Sequence, residues 1–218
     1  MAIEANSHLI NRDEYRMVTK LSAAVPFNHL QRRLNNTNLH FQPSQGKRSS
    51  LLQSLISDPA KICIYKQPVS NIPCSLYWAQ LDDVVLDTAF LKESTFEESA
   101  WLAGLQRYSA TPSDMCSEVI TESVYQCPKA FILGTHFECH VWQTLTMIPF
   151  GQRVSYEWVA KKMQNRGIRA VASAIGRNCL APIIPCHRVI RKDGALGGYR
   201  WGLPVKEHLL EQEMRHSA

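Results

Sequence analysis

Read along the chain, the apolar positions change rhythm at about residue 134. Between residues 58 and 133 they come in short β-rich runs, KICIYK, CSLYWAQ and DDVVLDTAFL, bounded by turn residues such as the intervening QPVSNIP. Val, Ile, Tyr, Trp and Thr suit a pleated, half-buried surface, so these runs predict an antiparallel sheet, with KAFILGT as its last strand. STFEESAWLAGLQRY predicts a helix. Ser or Thr ahead of Glu offers capping chemistry, and Phe96, Ala100, Ala103 and Leu105 recur at helical spacing. SDMCSEVITESVYQ is a second candidate helix. Residues 1–57 are polar and rich in Asn, Gln and Ser, and RRLNNTN and QPSQGKRSS read as exposed or linker sequence with no assigned function.

From Thr135 the period becomes helical. HFECHVWQTLTMI places Phe137, Val141, Leu145 and Ile148 on one face, and Pro149 and Gly151 in PFGQR end it. Ser155 is placed to cap YEWVAKKM, where Tyr156, Val159, Ala160 and Met163 share a face. QNRG supplies a turn with Gly167, and IRAVASAIGRN follows as another helix, giving the helix-turn-helix pattern. Ile168, Val171 and Ile175 form a stripe expected to face the core. Arg169, Ala172, Ser173 and Gly176 lie on another side, one arginine followed by residues with almost no side chain. Such a face admits a close backbone approach by another helix or by a nucleic-acid groove.

Charge shifts that balance toward the groove. The net charge of the 218 residues is +5, but 12 of the 24 Lys+Arg and only 6 of the 19 Asp+Glu lie from Gly134 onward. That gives +6 for this part and −1 for the rest, and a basic half beside a neutral one suits an anionic partner. The composition, 45% hydrophobic and 20% charged, is that of a soluble globular protein. The chain has no long apolar run and no signal-type N-terminus, so the expectation is an intracellular protein with no membrane contact, cytoplasmic in a bacterium or nuclear in a eukaryote. Seven cysteines without C-x-x-C spacing argue against a disulfide framework or a four-cysteine zinc site. His136, Cys139 and His140 make a poor metal set, because Cys139 and His140 are adjacent and a second ligand pair is missing; exposed polar residues at a helix start are the plainer reading.

The remaining chemistry concentrates in IIPCHRVI. APIIP reads as extended chain, and adjacent residues of an extended chain point to opposite sides, so His187 should not touch the Cys186 sulfur directly. A nucleophilic thiol needs a positive or basic neighbour, here His187 or Arg188, and an orienting carboxylate from elsewhere. Glu207, Glu211 and Glu213 in the last helix, PVKEHLLEQEM, are the candidates. These residues alone leave a thiol hydrolase open.

IPCHRVI followed by GALGGYRWGLPVKEHLLEQE, together with GTHFECHVWQTLTMIPFGQRVSYEWVA and RAVASAIGRN upstream, resembles the O6-alkylguanine-DNA alkyltransferases. The resemblance runs from about Gly134 to Glu213, and RAVASA and GYRWG are most similar to the C-terminal half of the bacterial adaptive-response branch. That branch carries an N-terminal cysteine-zinc module, which is not expected here because no cysteine precedes Cys63. The resemblance implies an α+β protein of three parts: an extension, residues 1–57; a small ribonuclease H-like α/β domain, 58–133; and a mostly helical domain with the helix-turn-helix, 134–218. It implies a monomer without a cofactor or metal, whose partner is duplex DNA carrying O6-alkylguanine, with O4-alkylthymine a second candidate.

By the same resemblance Cys186 is the alkyl acceptor, His187 its base through a water, Glu213 the orienting carboxylate, and Asn178 the residue holding the active-site turn. Tyr156 contacts the guanine and its 3′ phosphate. Arg169 enters the stack when the nucleotide flips, with Ala170, Ala172, Ser173 and Gly176 along the minor groove. Tyr199, Trp201, Arg200, Arg188 and the main chain of Val189 belong to the substrate pocket. The sequence departs from the family at the turn QNRG, which lacks the usual Pro, and in a Tyr156–Arg169 separation one residue shorter. Trp201 is expected to narrow the pocket mouth. Three other readings carry less: a damage binder without an acceptor thiol is at odds with Cys186, a cysteine hydrolase with the adjacency of Cys186 and His187, and a transcription factor with the small face of the second helix.

Overall fold

The computed structural model describes residues 38–43, 62–69, 71–81, 84–96, 98–106 and 129–216. Five strands form one sheet: β1 (Asn38–Pro43), β2 (Ile62–Pro68), β3 (Ser75–Leu81), β4 (Val84–Leu91) and β5 (Lys129–Gly134), in the order β1-β5-β4-β3-β2. The strands β2, β3 and β4 are antiparallel as expected, whereas β5 runs parallel to both β4 and β1, so the sheet is mixed. Asn38–Pro43 lies within the stretch read as unassigned linker, yet it forms an edge strand. The candidate helix at 113–126 falls outside the described residues.

Both faces of the sheet are covered. Along β3, Leu76 and Trp78 join one core while Tyr77 and Ala79 join another, as the alternation of a strand requires. On the second face lies α1 (Ala100–Gln106), preceded by a 3-10 turn at Glu93–Thr95. Leu102 and Leu105 are its buried positions, while Ala100 and Ala103, expected on the core face, are exposed. Phe96 lies before the helix, stacked on Tyr77 with 4.4 Å between centroids.

The first face packs on the C-terminal helices: α2 (His136–Thr146), α3 (Tyr156–Lys162), α4 (Ile168–Gly176) and α5 (Leu203–His216). Thr135 opens α2 with a capping box shared with Glu138, and Ser155 caps α3 by accepting from the Trp158 amide. The expected face of α2 is observed, with Val141 and Leu145 buried and Ile148 buried just beyond the helix. Cys139 is buried too, rather than exposed with His136 and His140. Trp142 ties α2 to α4 by donating its indole N–H to the Ala174 carbonyl at 2.9 Å. In the turn between α3 and α4 the left-handed residue is Gln164 (φ 53), whereas Gly167 sits at φ −85 as the N-cap of α4.

One junction places the chemistry. The strand β4 pairs with β5 only at Val84 and Val85, so its later part is free to bond elsewhere. There the Thr88 amide donates to the Cys179 carbonyl at 2.8 Å, and the Thr88 hydroxyl donates to the carbonyls of Cys179 and Ala181 at 3.1 and 2.6 Å. The segment that leads to Cys186 is thus pinned to the sheet. Thr88→Val removes the hydroxyl at constant shape and takes its donor from the buried Ala181 carbonyl, so denaturant unfolding is expected to show a loss of about 1–3 kcal/mol.

Candidate active site

The segment after α4 is a turn, not the extended chain expected of APIIP, and it contains a cis Ala181–Pro182 peptide. It delivers Cys186, His187 and Arg188 into a single 3-10 turn, leading into a short strand β7 (Val189–Ile190) paired with β6 (Val154–Ser155). Asn178 organises this turn. Its Nδ2 donates to the Ile184 carbonyl at 2.9 Å and to the Cys186 Sγ at 3.0 Å, and its Oδ1 accepts from the Leu180 amide at 3.0 Å.

Cys186 is 4% exposed and lies in the wall of a cavity of about 340 Å³. Tyr156 lines it from α3, Ala172, Ile175 and Gly176 from α4, and Tyr199, Arg200 and Trp201 from the loop ahead of α5. That loop approaches Tyr156 closely. Gly197 has φ +69, and a Cβ there would stand 3.1 Å from the Tyr156 hydroxyl, so any other residue at this position is strained. Burial raises the Cys186 thiol above its ordinary pKa, opposed by the Asn178 hydrogen bond, the Lys206 charge and the Tyr199 hydroxyl. The resting group is therefore a thiol that needs a base.

Beneath the cavity a charged cluster is closed off from solvent. His187 Nε2 lies 2.7 Å from Glu213 Oε1, and Arg188 donates to both carboxylate oxygens at 2.9 to 3.0 Å and to the Ile148 carbonyl at 2.6 Å. The Gly151 amide donates to Glu213 Oε2 at 3.1 Å. Burial alone would raise the Glu213 pKa, but the hydrogen bonds and charges of His187 and Arg188 bring it down to about 2. Burial lowers the His187 pKa against the pull of Glu213. At neutral pH an ionised Glu213 accepts a hydrogen bond from the Nε2–H of a neutral His187, which leaves Nδ1 as the basic nitrogen.

The structure brings Cys186, His187, Glu213, Asn178, Tyr156, Tyr199, Trp201 and Arg200 together. Two expected pocket residues lie elsewhere. Arg188 is 2% exposed and spent on Glu213, because a guanidinium there satisfies the buried carboxylate. Val189 is fully buried outside the cavity lining, and its carbonyl accepts from Lys206 Nζ at 2.6 Å. On α4, Arg169, Ala170, Ser173 and Gly176 are exposed and Ala172 is half-buried at the cavity. Ile168, expected to face the core, is 43% exposed, and Ala174 joins Val171 and Ile175 in the core instead.

Lys206 was missed by the sequence reading. It is 1% exposed, donates to the Val189 and Leu196 carbonyls, and lies 6.0 Å from the Tyr199 ring centroid, so it holds the loop around the cavity. Burial pushes its pKa down to about 8. The signal was available: Lys206, Leu209, Leu210 and Glu213 follow one buried stripe of α5 at i, i+3, i+4 and i+7, and a charge on such a stripe marks a paired interior group. Among the described residues no cluster suited to a metal ion occurs, and no helix is long and apolar enough to cross a membrane.

Residues 136–215 match the family model "6-O-methylguanine DNA methyltransferase, DNA binding domain". The chain is similar to the regulatory protein ada of Salmonella typhimurium, 54% identical over 83 residues that cover 38% of this chain and 24% of that protein. It therefore spans about a quarter of that relative's length. It is also similar to the methylated-DNA–protein-cysteine methyltransferase of Kluyveromyces lactis, 32% identical over 73% of this chain and 78% of that protein. With the protein of the same name from Debaryomyces hansenii the identity is 37%, over 67% of this chain and 84% of that protein.

Proposed function

The chain belongs to the family of the methylated-DNA–protein-cysteine methyltransferases, and from that membership we propose that it repairs DNA by moving an alkyl group from guanine O6 onto its own Cys186. The observation that carries this reading is the Asn178-held Cys186 sulfur in the wall of a cavity, beside a His187–Glu213 pair sealed from solvent. Water passes the thiol proton to His187 Nδ1, and the sulfur attacks the O6-bound carbon. The C–O6 bond breaks with its electron pair on the base, and Tyr156 protonates the base as it leaves. The Tyr156 phenolate regains its proton from the His187 imidazolium through water, so the net result is a thioether on Cys186, a guanine with one added hydrogen, and Tyr156 and His187 back in their starting states. Nothing in the site hydrolyses a thioether, so each chain acts once. Burial of the thiol permits attack only on a base that has left the stack, which the weakened pairing of the lesion makes less costly.

DNA is met through α3, the turn and α4 acting as a helix-turn-helix in the minor groove. The exposed Arg169, with Ala170, Ser173 and Gly176, supports this: the small residues admit the backbone, and Arg169 fills the space of the flipped nucleotide. The three antiparallel and two parallel strands support a ribonuclease H-like reading of the sheet unit, here with β1 included. The test is a count. Duplex DNA carrying radiolabelled O6-methylguanine should deliver about one methyl per chain and then stop. Repeated turnover, or label retained on the DNA, would overturn the proposal.

Trp201 sets a second expectation. Its indole lines the cavity, so large O6 substituents should meet it before they reach the sulfur. Wild-type protein is expected to react with O6-benzylguanine in DNA more slowly than with O6-methylguanine, and Trp201→Gly to raise the benzyl rate about tenfold or more. Equal benzyl and methyl rates in the wild type would remove the idea.

A further inference from the structure

Trp201 is held from two sides by other aromatic rings. Tyr199 meets it edge-on, with centroids 5.2 Å apart at 62°, and Phe90 of β4 meets it at 5.8 Å and 71°. Phe90 does not line the cavity; it is 4% exposed and fixed in register against Leu76 of β3. The Gly202 amide donates to the Tyr199 carbonyl at 3.1 Å and Lys206 donates to the Leu196 carbonyl, but these bonds act on the main chain and not on the indole. Gly197 and Gly202 flank Trp201 at φ +69 and +93, a region glycine adopts without steric cost, and a Cβ at Gly198 would meet nothing within 4 Å. Arg200, whose guanidinium stands 5.6 Å from the indole, is itself exposed and gives no fixed wall. A ring on such a segment stays where its packing partners put it, and Phe90 is the partner supplied by the sheet.

We propose that Phe90 is a positioning residue for lesion size: its ring edge holds the Trp201 indole at the cavity, and so the sheet sets how large an O6 substituent the site admits. This rests on the alkyl-transfer reading and deepens it. A methyl group is small enough to reach the sulfur without moving Trp201, so its transfer does not depend on the brace. A benzyl group must displace the indole, and its transfer does.

The experiment compares transfer rates from duplexes carrying O6-benzylguanine or O6-methylguanine for wild type, Phe90→Leu, Trp201→Gly and the double variant. Leucine keeps an apolar side chain and removes the ring. The benzyl-to-methyl ratio is expected to rise about two- to tenfold in Phe90→Leu, the range of one edge-to-face contact. In the Trp201→Gly background, Phe90→Leu is expected to leave the ratio unchanged, because the ring it acts through is gone. A ratio that does not move in the single variant, or that rises equally in both backgrounds, overturns the proposal. General loss of stability lowers both rates together and leaves the ratio constant, so it also counts against the brace. If wild type takes no methyl at all, the alkyl-transfer reading fails. If it takes methyl while the ratio ignores Phe90, only the brace fails.

Discussion

Cys186→Ser is expected to lower methyl uptake by more than about a thousandfold while leaving the affinity for lesion-bearing duplex unchanged. The sulfur is already at a disadvantage in this site, since burial raises the thiol pKa and His187 must take its proton during attack. A serine hydroxyl is a far weaker acid and a less polarisable nucleophile, and the buried base cannot make up the difference. Binding should survive because Cys186 sits in the cavity wall, behind the exposed face of α4. The check is a pair of measurements on one preparation: label transferred per chain, and anisotropy of a fluorescent duplex. Substantial label on the serine variant would place the acceptor elsewhere. Lost affinity would place Cys186 in the DNA interface.

The sequence told most where information is local. Residue type between turn residues located β2 to β5, and helical period located α2 to α4, because both are properties of neighbouring residues. The strand β1 was not visible, since NLHFQP offers only Leu39 and Phe41 and becomes a strand by pairing in parallel with β5, far along the chain. The candidate acceptor and its partners were legible through the resemblance, and Glu213 was chosen among three glutamates only by it. Arg188 was misplaced for a physical reason: a positive charge next to a nucleophile invites a role toward substrate, but a buried carboxylate attracts it more strongly. Thr88 and Phe90 were silent for the same kind of reason, as each acts on a loop from an element distant in sequence, whereas Lys206 was legible in the buried stripe of α5. Ile168 was assigned to the core by spacing, but helix spacing cannot say where a first turn emerges from the core.

Glu213→Gln should destabilise the fold by about 3–5 kcal/mol, the usual cost of breaking a buried ion pair from one side. The amide retains shape but not charge, and its NH2 must face donors from Arg188, His187 or Gly151. Under conditions where the variant is still folded, transfer should fall by about 10²–10⁴-fold, because His187 loses the partner that selects its tautomer. Glu211→Gln is the control: Glu211 is half-buried, pairs with Arg215 at 3.3 Å in a solvent-facing i,i+4 contact, and should change stability by less than about 0.5 kcal/mol. Acidity separates the contributions. His187 has a depressed folded pKa, so the unfolded chain binds the extra proton first, and stability begins to fall as the pH drops below about 6.5. Glu213 is depressed from 4.5 to about 2, so its contribution, about 3 kcal/mol, is present above 4.5 and lost as the pH falls toward 2. Urea midpoints measured from pH 7 to 3 should decline in both stages for the wild type, and Glu213→Gln should lack the lower one. An unchanged lower stage in the variant would mean that some other carboxylate carries the acid sensitivity, and that the His187–Glu213–Arg188 cluster does not hold the site together.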